Sequence, residues 1–372
     1  MIKISEIDAI VLRFPLENPV QTSFGLMLDR PMLIVKLTTD EGIIGWGEVW
    51  CNFPNAGAEH RANLINQVFK PVILKNEFLN PESAFDFLTH ATWVLGLQTG
   101  EIGPLAQCIA GLEIAFSDIY GKIKDQPLWK IYGGKSDKVP VYASGINPSK
   151  PELIATQAVA DGYKSLKLKV GFGKDRDLNN ITNIKNSVEK DIDLMVDANQ
   201  AWSISDALEI INELENFHLS WLEEPIAADR PVSEWTMIAN KTSIPLAAGE
   251  NIYSEDAFKK IIDDGCVYVI QPDIAKWGGF SKTIKVARKI VSAGKRYCPH
   301  YLGGGIGLVA SAHALAAIGG NGMLEVDINH NPLRSQLCGD LLNLSQGVAS
   351  IGGGSGLGFT PDIGAVEIYR IQ

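Results

Sequence analysis

Residues 164–200 read KSLKLKVGFGKDRDLNNITNIKNSVEKDIDLMVDANQ and contain one complete structural repeat. An apolar run ends at Lys169, a helical pattern follows, and a second apolar run ends at Asp197. The same pattern recurs downstream, at spacings of 28, 26, 27, 23, 27 and 25 residues between the charged residues near the run ends. These charged residues are Lys169, Asp197, Glu223, Glu250, Asp273, His300 and Glu325. Such a period is about the length of one β-strand plus one α-helix.

Eight strand-like runs alternate with helical patterns in this part of the chain. Strict alternation predicts a parallel sheet, and eight repeats predict that the sheet closes into a (β/α) barrel. Because the carboxyl ends of barrel strands meet at one mouth, we expect the charged series to lie there. The runs are VPVYASG (139–145), KSLKLKV (164–170), DIDLMVD (191–197), HLSWLEE (218–224), IPLAAGE (244–250), VYVIQPD (267–273), KRYCPH (295–300) and NGMLEVD (321–327).

The N-terminal part has a different pattern. Residues 2–14 and 31–50 are strand-like, and the turn signal Asp40-Glu41-Gly42 predicts that the second stretch is a hairpin. The polar, glycine-containing segments 18–30 and 51–61 are predicted as loops. From about residue 58 to 131 the apolar spacing is helical.

These patterns predict an α/β protein with two units. Residues 1–130 are expected to form an α+β capping domain, and residues 131–339 the barrel. The glycine-rich segment 340–372, which ends in the strand-like AVEIYRI, is expected to return to the capping domain.

Composition narrows the class of protein. A net charge of −10 without a basic run argues against nucleic acid or an anionic membrane surface as a partner. The five scattered cysteines have no CxxC spacing and predict reduced thiols in the cytoplasm. The N-terminus alternates polar and apolar residues, unlike a signal peptide, and no apolar stretch is expected to span a membrane.

Three carboxylates end consecutive strands, namely Asp197, Glu223 and Glu250. Neighbouring strands lie about 4.8 Å apart, so unpaired carboxylates at their ends repel one another. Mg²⁺ relieves this repulsion and leaves positions for water and substrate. The alternative is that Asp and Glu simply favour turns at strand ends. Glu224 fits the spacing less well than Glu223 and is expected to lie behind the site or in an ion pair.

Two lysines and a histidine are the candidate proton-transfer groups. Lys167 and Lys169 are two residues apart on a strand, so both point into the barrel mouth. Two neighbouring ammonium groups are expected to lower each other's pKa, which makes one lysine a base. Alternatively, lysines at a strand end extend into solvent. Asp273 and His300 end consecutive strands, and a carboxylate beside an imidazole fixes its tautomer and raises its pKa.

The ring order places the lysine strand across from the strands of Asp273 and His300, with the three carboxylate strands between them. A substrate carboxylate on the metal would present its α-carbon between two proton-transfer groups, and the metal would stabilise the enediolate. Glu325, on the eighth strand, is expected to donate a hydrogen bond to this charge if it is kept protonated.

These motifs resemble the mandelate racemase subgroup of the enolase superfamily over essentially the whole chain. The related muconate-lactonizing type carries a lysine where this chain has Asp273 and lacks the histidine. The resemblance implies a modified (β/α)7β TIM barrel with an α+β cap. The matching motifs are KLK (167–169), VDANQ (196–200), WLEEP (221–225), GEN (249–251), QPDIAKWGG (271–279) and PHYL (299–302).

The resemblance also implies roles for the charged residues. Lys169 is the base on one face, and Lys167 tunes its pKa or contacts the substrate carboxylate. His300, paired with Asp273, is the base or acid on the other face, and Glu325 assists the enolate. Mg²⁺ is bound by three residues, which are Asp197, Glu223 and Glu250.

Four functions remain open at this point. A sugar-acid dehydratase and a racemase or epimerase of a 2-hydroxy acid use the same groups. A catalytically silent barrel would need no complete acid–base set. A phosphate-binding barrel is suggested by the glycine-rich turn 303–307, which follows the seventh strand and opens a helix.

Substrate identity is expected to depend on loops of the cap that close over the barrel mouth. The partner is a small carboxylic acid, and family members are often homo-oligomers. The candidate contact residues are Asn18, Ser23, Phe24, Arg30, His60, Arg61, Tyr142 and Asn147.

Overall fold

The computed structural model describes residues 1–22, 25–339 and 343–371. Its N-terminal unit contains an antiparallel sheet with the strand order β3-β2-β1-β4. The pairing of β2 with β3 on either side of Asp40-Glu41-Gly42 confirms the predicted hairpin. The strands are β1 (Ile2–Thr22), β2 (Gly25–Thr39), β3 (Ile44–Val49) and β4 (Glu77–Phe78).

The prediction of a loop over residues 18–30 is wrong for its described part. β1 and β2 continue as a paired ribbon, in which Val20 lies opposite Met27. The register shifts between Pro15 and Val20, so the outer part of the ribbon follows an irregularity. Local composition disfavours strands here, but pairing with an adjacent strand overrides that weak preference.

Helices pack against one face of this sheet. The helical prediction for residues 58–131 is confirmed apart from the short strand β4. A π-helical turn, Ile65–Phe69, joins the first two helices. The helices are α1 (Gly57–Leu64), α2 (Lys70–Ile73), α3 (Pro81–Thr99), α4 (Ile102–Ile123) and α5 (Leu128–Ile131).

Helix α4 corrects the expectation about membrane-spanning stretches. Among the described residues it is the one helix long and apolar enough to cross a membrane, but 78% of its most apolar window is buried inside the protein. It packs against β3 so closely that a Cβ at Gly47 would lie 2.0 Å from the Gly111 carbonyl oxygen. α4 is therefore a core helix. The cytoplasmic location stays a prediction.

Eight parallel strands form the second unit, at the eight predicted positions. Strands β5 to β11 pair in chain order, and β12 pairs with β5. Between β11 and β12 the Met323 N–H donates to Cys298 Sγ at 3.4 Å, and Arg296 Nε donates to the Asn321 carbonyl at 2.8 Å. These contacts close the barrel. Its strands are β5 (Lys138–Ile146), β6 (Ser165–Lys169), β7 (Asp193–Asp197), β8 (Leu222–Glu223), β9 (Leu246–Ala248), β10 (Val269–Ile270), β11 (Arg296–Tyr297) and β12 (Leu324–Asp327).

One helix follows each strand from β5 to β11, which gives the predicted (β/α)7β order. In α8 the buried residues Ala207, Ile210, Ile211 and Leu214 recur at helical spacing and face the strands. A short helix, α13 (Pro332–Cys338), follows β12. The barrel helices are α6 (Pro151–Ala160), α7 (Lys174–Ser187), α8 (Ile204–Leu214), α9 (Val232–Ala239), α10 (Glu255–Asp264), α11 (Gly279–Ser292) and α12 (Gly305–Ile318).

The interior of the barrel is filled by large side chains below the mouth. Strand residues alternate between this interior and the helix layer, so Trp221 faces inward while Leu222 packs outward. By the same alternation, the next residue, Glu223, faces the interior again. The interior cluster consists of Tyr142, Met195, Trp221, Ala247, Val269, Cys298 and Met323.

The C-terminal segment contacts both units. Strand β14 (Val348–Ser350) pairs with β13 (Asn343–Ser345) and with β5. The strand prediction for AVEIYRI is wrong, since Gly364–Tyr369 is a 3₁₀ helix. The Ile371 N–H nevertheless donates to the Val11 carbonyl at 3.0 Å, which ties the segment to β1. The boundaries 1–130, 131–339 and 340–372 stay predictions.

Two carboxylates of the N-terminal unit bind the starts of barrel helices. Glu48 on β3 accepts hydrogen bonds from the N–H groups of Gly304 and Gly307 at the start of α12. Glu113 on α4 accepts from the N–H groups of Phe280 and Ser281 at the start of α11. A helix N-terminus carries unpaired N–H groups and partial positive charge, so these buried carboxylates hold the two units together.

His313 gives a test of this packing. Its Nδ1 accepts from the Trp129 N–H at 3.2 Å, and its Nε2 lies 3.2 Å from the Leu357 carbonyl, which fixes a neutral ring with the proton on Nε2. Burial lowers the pKa of His313 to about 4. Between pH 6.5 and about 4 the unfolded chain therefore binds a proton that the folded chain does not, and stability falls as the pH falls.

We expect His313→Asn to remove this pH dependence. At about pH 5 the proton bound only by the unfolded chain costs the wild type about 2 kcal/mol relative to pH 7.5. Urea unfolding at the two pH values measures the difference, and the variant is expected to lose less stability than the wild type. Equal losses in both proteins would show that His313 is not the responsible group.

Candidate active site

The seven charged residues of the repeating series lie at one end of the barrel. Strands β6, β7 and β8 end at Lys169, Asp197 and Glu223. Strands β9, β10 and β11 are followed within two or three residues by Glu250, Asp273 and His300, and Glu325 lies within β12. Lys169, Glu250, His300 and Glu325 line a single cavity of about 210 Å³. The topology therefore gathers groups that are up to 156 residues apart in sequence (325 − 169).

Both lysines of the KLK motif point into the barrel. Lys167 is fully buried, with its Nζ 2.7 and 2.9 Å from the two oxygens of Glu223 and 2.8 Å from Glu325 Oε1. Lys169 lies nearer the mouth, where its Nζ donates to Asp197 Oδ2 at 2.5 Å and to Asn199 Oδ1 at 2.8 Å. Neither ammonium group extends into solvent.

The expected low pKa of the lysine pair is wrong for this arrangement. Burial acts to lower the pKa of Lys167, but Glu223 and Glu325 outweigh it and hold that pKa well above its ordinary value. Burial also acts to lower the pKa of Lys169, Asp197 raises it, and the net shift is upward. The repulsion by Lys167 does lower the pKa of Lys169, as predicted, but the carboxylates dominate.

His300 and Asp273 form the predicted pair. His300 Nδ1 lies 2.7 Å from Asp273 Oδ2, and Asp273 Oδ1 accepts from the N–H groups of Ala275 and Lys276 at 2.9 and 3.1 Å. The carboxylate therefore holds Nδ1 as a donor, and Nε2, at the cavity, lies 3.2 Å from Glu250 Oε2. Burial lowers the pKa of His300, but Glu250 and the other carboxylates raise it to about 9.

Glu325 does not have the protonated form that was predicted for it. Its carboxylate accepts hydrogen bonds from the Ser144 hydroxyl and the Tyr301 N–H, and it pairs with Lys167. Burial acts to raise its pKa, but Lys167 and His300 lower the pKa to about 2. Glu325 is thus an ionised acceptor that fixes Lys167 and the backbone beside His300.

Lys276 is a buried site residue that the sequence reasoning missed. Its Nζ donates to Glu250 Oε2 at 2.6 Å and lies 4.6 Å from the centre of the Trp50 ring. Glu250 and Asp273 hold its pKa above the ordinary value in spite of burial. The motif QPDIAKWGG (271–279) could have indicated it, because the residues around this lysine are too apolar for a solvent-exposed turn.

The glycine-rich turn 303–307 does not offer a phosphate site. The N–H groups of Gly304 and Gly307 at this turn are bound by the carboxylate of Glu48, which is 3% exposed. An internal anion from the N-terminal unit thus takes the place of an external one. The hypothesis of a phosphate-binding barrel therefore loses the one feature that supported it.

Several predicted contact residues lie away from the cavity. Arg30 forms a buried ion pair with Asp327, His60 pairs with Glu101, and Arg61 donates to Gln107. Tyr142 is buried in the barrel interior. Of the remaining candidates, Ser23, Phe24 and the side chain of Asn18 lie outside the described residues, and Asn147 lines the cavity.

Other residues of the N-terminal unit line the cavity instead. They come from the outer part of β1 and from the segment after β3, where no periodicity marks them in the sequence. Trp50 contacts Lys276, and Asn52 Nδ2 donates to the Leu302 carbonyl at 2.6 Å. Among the described residues these are Val20, Trp50, Asn52 and Phe53.

Two family models match this chain. The N-terminal domain model of the mandelate racemase/muconate lactonizing enzymes matches residues 6–133, and the enolase C-terminal domain-like model matches residues 152–365. The chain belongs to the mandelate racemase/muconate lactonizing enzyme family. The capped barrel and its charged mouth are therefore those of an enolase superfamily member, as the sequence motifs indicated.

Similar proteins within this family catalyse different reactions. The chain is 27% identical to arabinonate dehydratase of Saccharolobus solfataricus over 93% of each protein, and 30% identical to N-succinyl-L-Arg/Lys racemase of Bacillus cereus over 78% of each. It is 47% identical to a mandelate racemase/muconate lactonizing enzyme from Bordetella bronchiseptica RB50, whose crystal structure matches with a TM-score of 0.94 over 99% of both chains.

Members of the enolase superfamily bind Mg²⁺, so the donor groups at this mouth can be compared with that requirement. Within the described ranges no three His, Cys, Asp or Glu side chains surround one point as metal ligands. Each predicted ligand instead faces an ammonium group. The pairs are Asp197 with Lys169, Glu223 with Lys167 and Glu250 with Lys276.

Glu224 shows that negative charge at the mouth is not fully compensated. Its Oε1 accepts from Asn251 Nδ2 at 2.9 Å, whereas its buried Oε2 has no hydrogen-bond partner among the described residues. Burial and the neighbouring charges of Glu250 and Asp197 raise the pKa of Glu224 to about 8. Buried carboxylate oxygens in excess of their partners fit a divalent cation that prefers oxygen ligands.

A set of isosteric variants tests which carboxylates bind the metal. If the predicted ligands are right, Asp197→Asn and Glu223→Gln each weaken Mg²⁺ binding by more than the roughly 10–100-fold typical of residues behind a metal site. Glu224→Gln serves as the matched control and is expected to stay within that range. Titration calorimetry measures the affinities. A larger loss in Glu224→Gln than in Glu223→Gln would exchange the roles of these two residues.

Proposed function

We propose that the protein is a Mg²⁺-dependent dehydratase of a sugar acid, which yields a 2-keto-3-deoxy acid. The observation that carries this proposal is the pair of proton-transfer groups in one cavity. Lys169 comes from β6 and His300 from the loop after β11, with the carboxylates of β7, β8 and β9 on the strands between them. The similar arabinonate dehydratase supports the reaction class.

Asp197, Glu223 and Glu250 would hold the Mg²⁺ ion. When bound, the ion neutralises these carboxylates and stabilises negative charge on the substrate carboxylate. The attraction that now raises the pKa of Lys169 is then reduced, while the repulsion from Lys167 remains. Lys169 can then lose its proton near neutral pH and act as a base.

The chemical steps follow from the positions of the side chains. Lys169 Nζ takes the proton from the α-carbon, and the bonding electrons form the enediolate. The enediolate expels the β-hydroxyl, which takes a proton from His300 Nε2 and leaves as water. The resulting enol becomes the 2-keto acid by tautomerisation. Asp273 keeps His300 oriented throughout, because its carboxylate holds Nδ1.

Racemisation or epimerisation of a 2-hydroxy acid is the alternative, and the similar N-succinyl-L-Arg/Lys racemase favours it. In that reaction Lys169 and His300 remove and return the α-proton from opposite faces, and no group leaves. A silent barrel lacks support, since every predicted acid–base group lines or borders the cavity. The homo-oligomeric state stays a prediction.

A library of sugar acids and 2-hydroxy acids in D₂O with Mg²⁺ tests the proposal. We expect a sugar acid to give a 2-keto product. Lys169→Ala is expected to lose both product formation and α-deuterium exchange, and His300→Asn to lose product formation by about 10²–10⁴-fold while retaining exchange.

Two other results would contradict dehydration. Deuterium incorporation with inversion and without a 2-keto product would establish the racemase reading. Absence of exchange with every acid tested, in protein shown to bind Mg²⁺, would remove both proton-abstraction readings. Lys174→Ala, on the exposed side of α7, is the control for general effects of losing a lysine.

A further inference from the structure

A chain of hydrogen bonds fixes the orientation of Asn147 at the edge of the cavity. It begins at the buried ion pair of Arg30 and Asp327, whose Nη2 and Oδ2 atoms are 2.7 Å apart. A carboxylate paired with arginine only accepts hydrogen bonds. Asp327 Oδ1 accepts from Asn329 Nδ2 at 2.7 Å, and the Gly145 carbonyl accepts from the same nitrogen at 2.9 Å.

The orientation passes from Asn329 to Asn147. Because Nδ2 of Asn329 is held by two acceptors, its Oδ1 is left to accept, and Asn147 Nδ2 donates to it at 3.4 Å. The amide oxygen of Asn147 therefore points away from Asn329. This Oδ1 is buried and has no hydrogen-bond partner among the described residues. Asn147 lines the cavity, and its amide oxygen requires a donor that the described residues do not supply.

The cavity offers no spare positive charge for a second carboxylate. The cationic side chains in its described lining are Lys169, Lys276 and His300, and each is paired with a carboxylate. Residues whose side chains are not described cannot change this, because none of them is Lys, Arg or His in the sequence. Arg30, which lies behind Asn147 in the chain of hydrogen bonds, is bound to Asp327.

The position of Asn147 in the barrel indicates which end of the substrate it would contact, namely the end far from the substrate carboxylate. It follows β5, which lies opposite β9 in the ring of eight strands, whereas the carboxylates that would hold Mg²⁺ lie on β7, β8 and near β9. A substrate whose carboxylate is bound there extends across the mouth towards β5. The group that meets Asn147 is therefore at the end remote from that carboxylate.

We infer that the substrate is a sugar monoacid, an aldonic acid, whose distal hydroxyl donates to Asn147 Oδ1. Asn147 is then a specificity-determining residue. A sugar diacid would place its second carboxylate against an unpartnered amide oxygen, with no unpaired cation in the described lining of the cavity, and such a buried charge is costly. This inference rests on the proposed function and narrows its substrate class.

Paired substrates test the inference in the Mg²⁺-loaded enzyme. D-Gluconate and D-galactonate are compared with the diacids D-glucarate and galactarate, by α-deuterium exchange and by product formation. We expect kcat/KM for the monoacid that is turned over to exceed that of its diacid by at least about 100-fold. Preference for either diacid over its monoacid overturns the inference and leaves the proposed function intact. Absence of exchange with all four, and with a wider acid library, overturns both.

Variants at Asn147 provide the second measurement. Asn147→Ala is expected to raise KM for the aldonic acid by about 3–10-fold with little change in kcat, as for the loss of one neutral hydrogen bond. Glycerate, a monoacid too short to reach Asn147, is expected to show no change. Asn147→Lys is expected to reduce the preference for monoacid over diacid.

A neighbouring asparagine serves as the matched control. Asn180 Nδ2 donates to the Pro148 carbonyl at 3.0 Å from outside the cavity, so Asn180→Ala disturbs the same loop without removing the acceptor. We expect this variant to keep the wild-type ratio of monoacid to diacid activity. If Asn180→Ala and Asn147→Ala change the ratio equally, loop position and not the acceptor determines specificity.

Discussion

Mutual compensation of buried charges is the constraint on which the barrel mouth depends. Single charges buried at these depths would be strongly destabilising, so each must be paired or neutralised. Lys167 satisfies Glu223 and Glu325 together, and Asp273 satisfies His300. Removal of one member would leave its partner unpaired, and the network therefore holds every group in a defined position. The same positions are those that the proposed proton transfer requires.

Compensation also joins the two units of the protein. Glu48 and Glu113 are buried carboxylates of the N-terminal unit, and each accepts hydrogen bonds from N–H groups at the start of a barrel helix. The helix bound by Glu48 begins just after His300, and the helix bound by Glu113 begins just after Lys276. The cap is consequently anchored beside the proposed acid–base groups.

The excess of carboxylates over cations at the mouth explains why a metal suits this site. Glu224 keeps one buried oxygen without a partner in the described part of the chain, and burial together with the surrounding charges favours its neutral form. In the structure, lysine ammonium groups form ion pairs with the predicted ligands Asp197, Glu223 and Glu250. Mg²⁺ at the same carboxylates would reverse the electrostatic effect on the lysines. The ammonium groups that now face carboxylates would face a cation instead. In the proposed function, metal binding and lysine basicity would thus be linked through one set of oxygens.

The sequence by itself determined the barrel and the identity of its charged groups, because strand and helix lengths impose a period and strand ends share one mouth. Long-range pairing decided the rest. The described part of residues 18–30 became a paired ribbon against its local composition, and Glu325 became an ionised acceptor because Lys167 lies beside it. Likewise, the orientation of Asn147 depends on Arg30, which is 117 residues earlier in the chain (147 − 30). Spacing along the chain predicts which groups meet, whereas their charge states and free acceptors depend on neighbours that only the folded structure supplies.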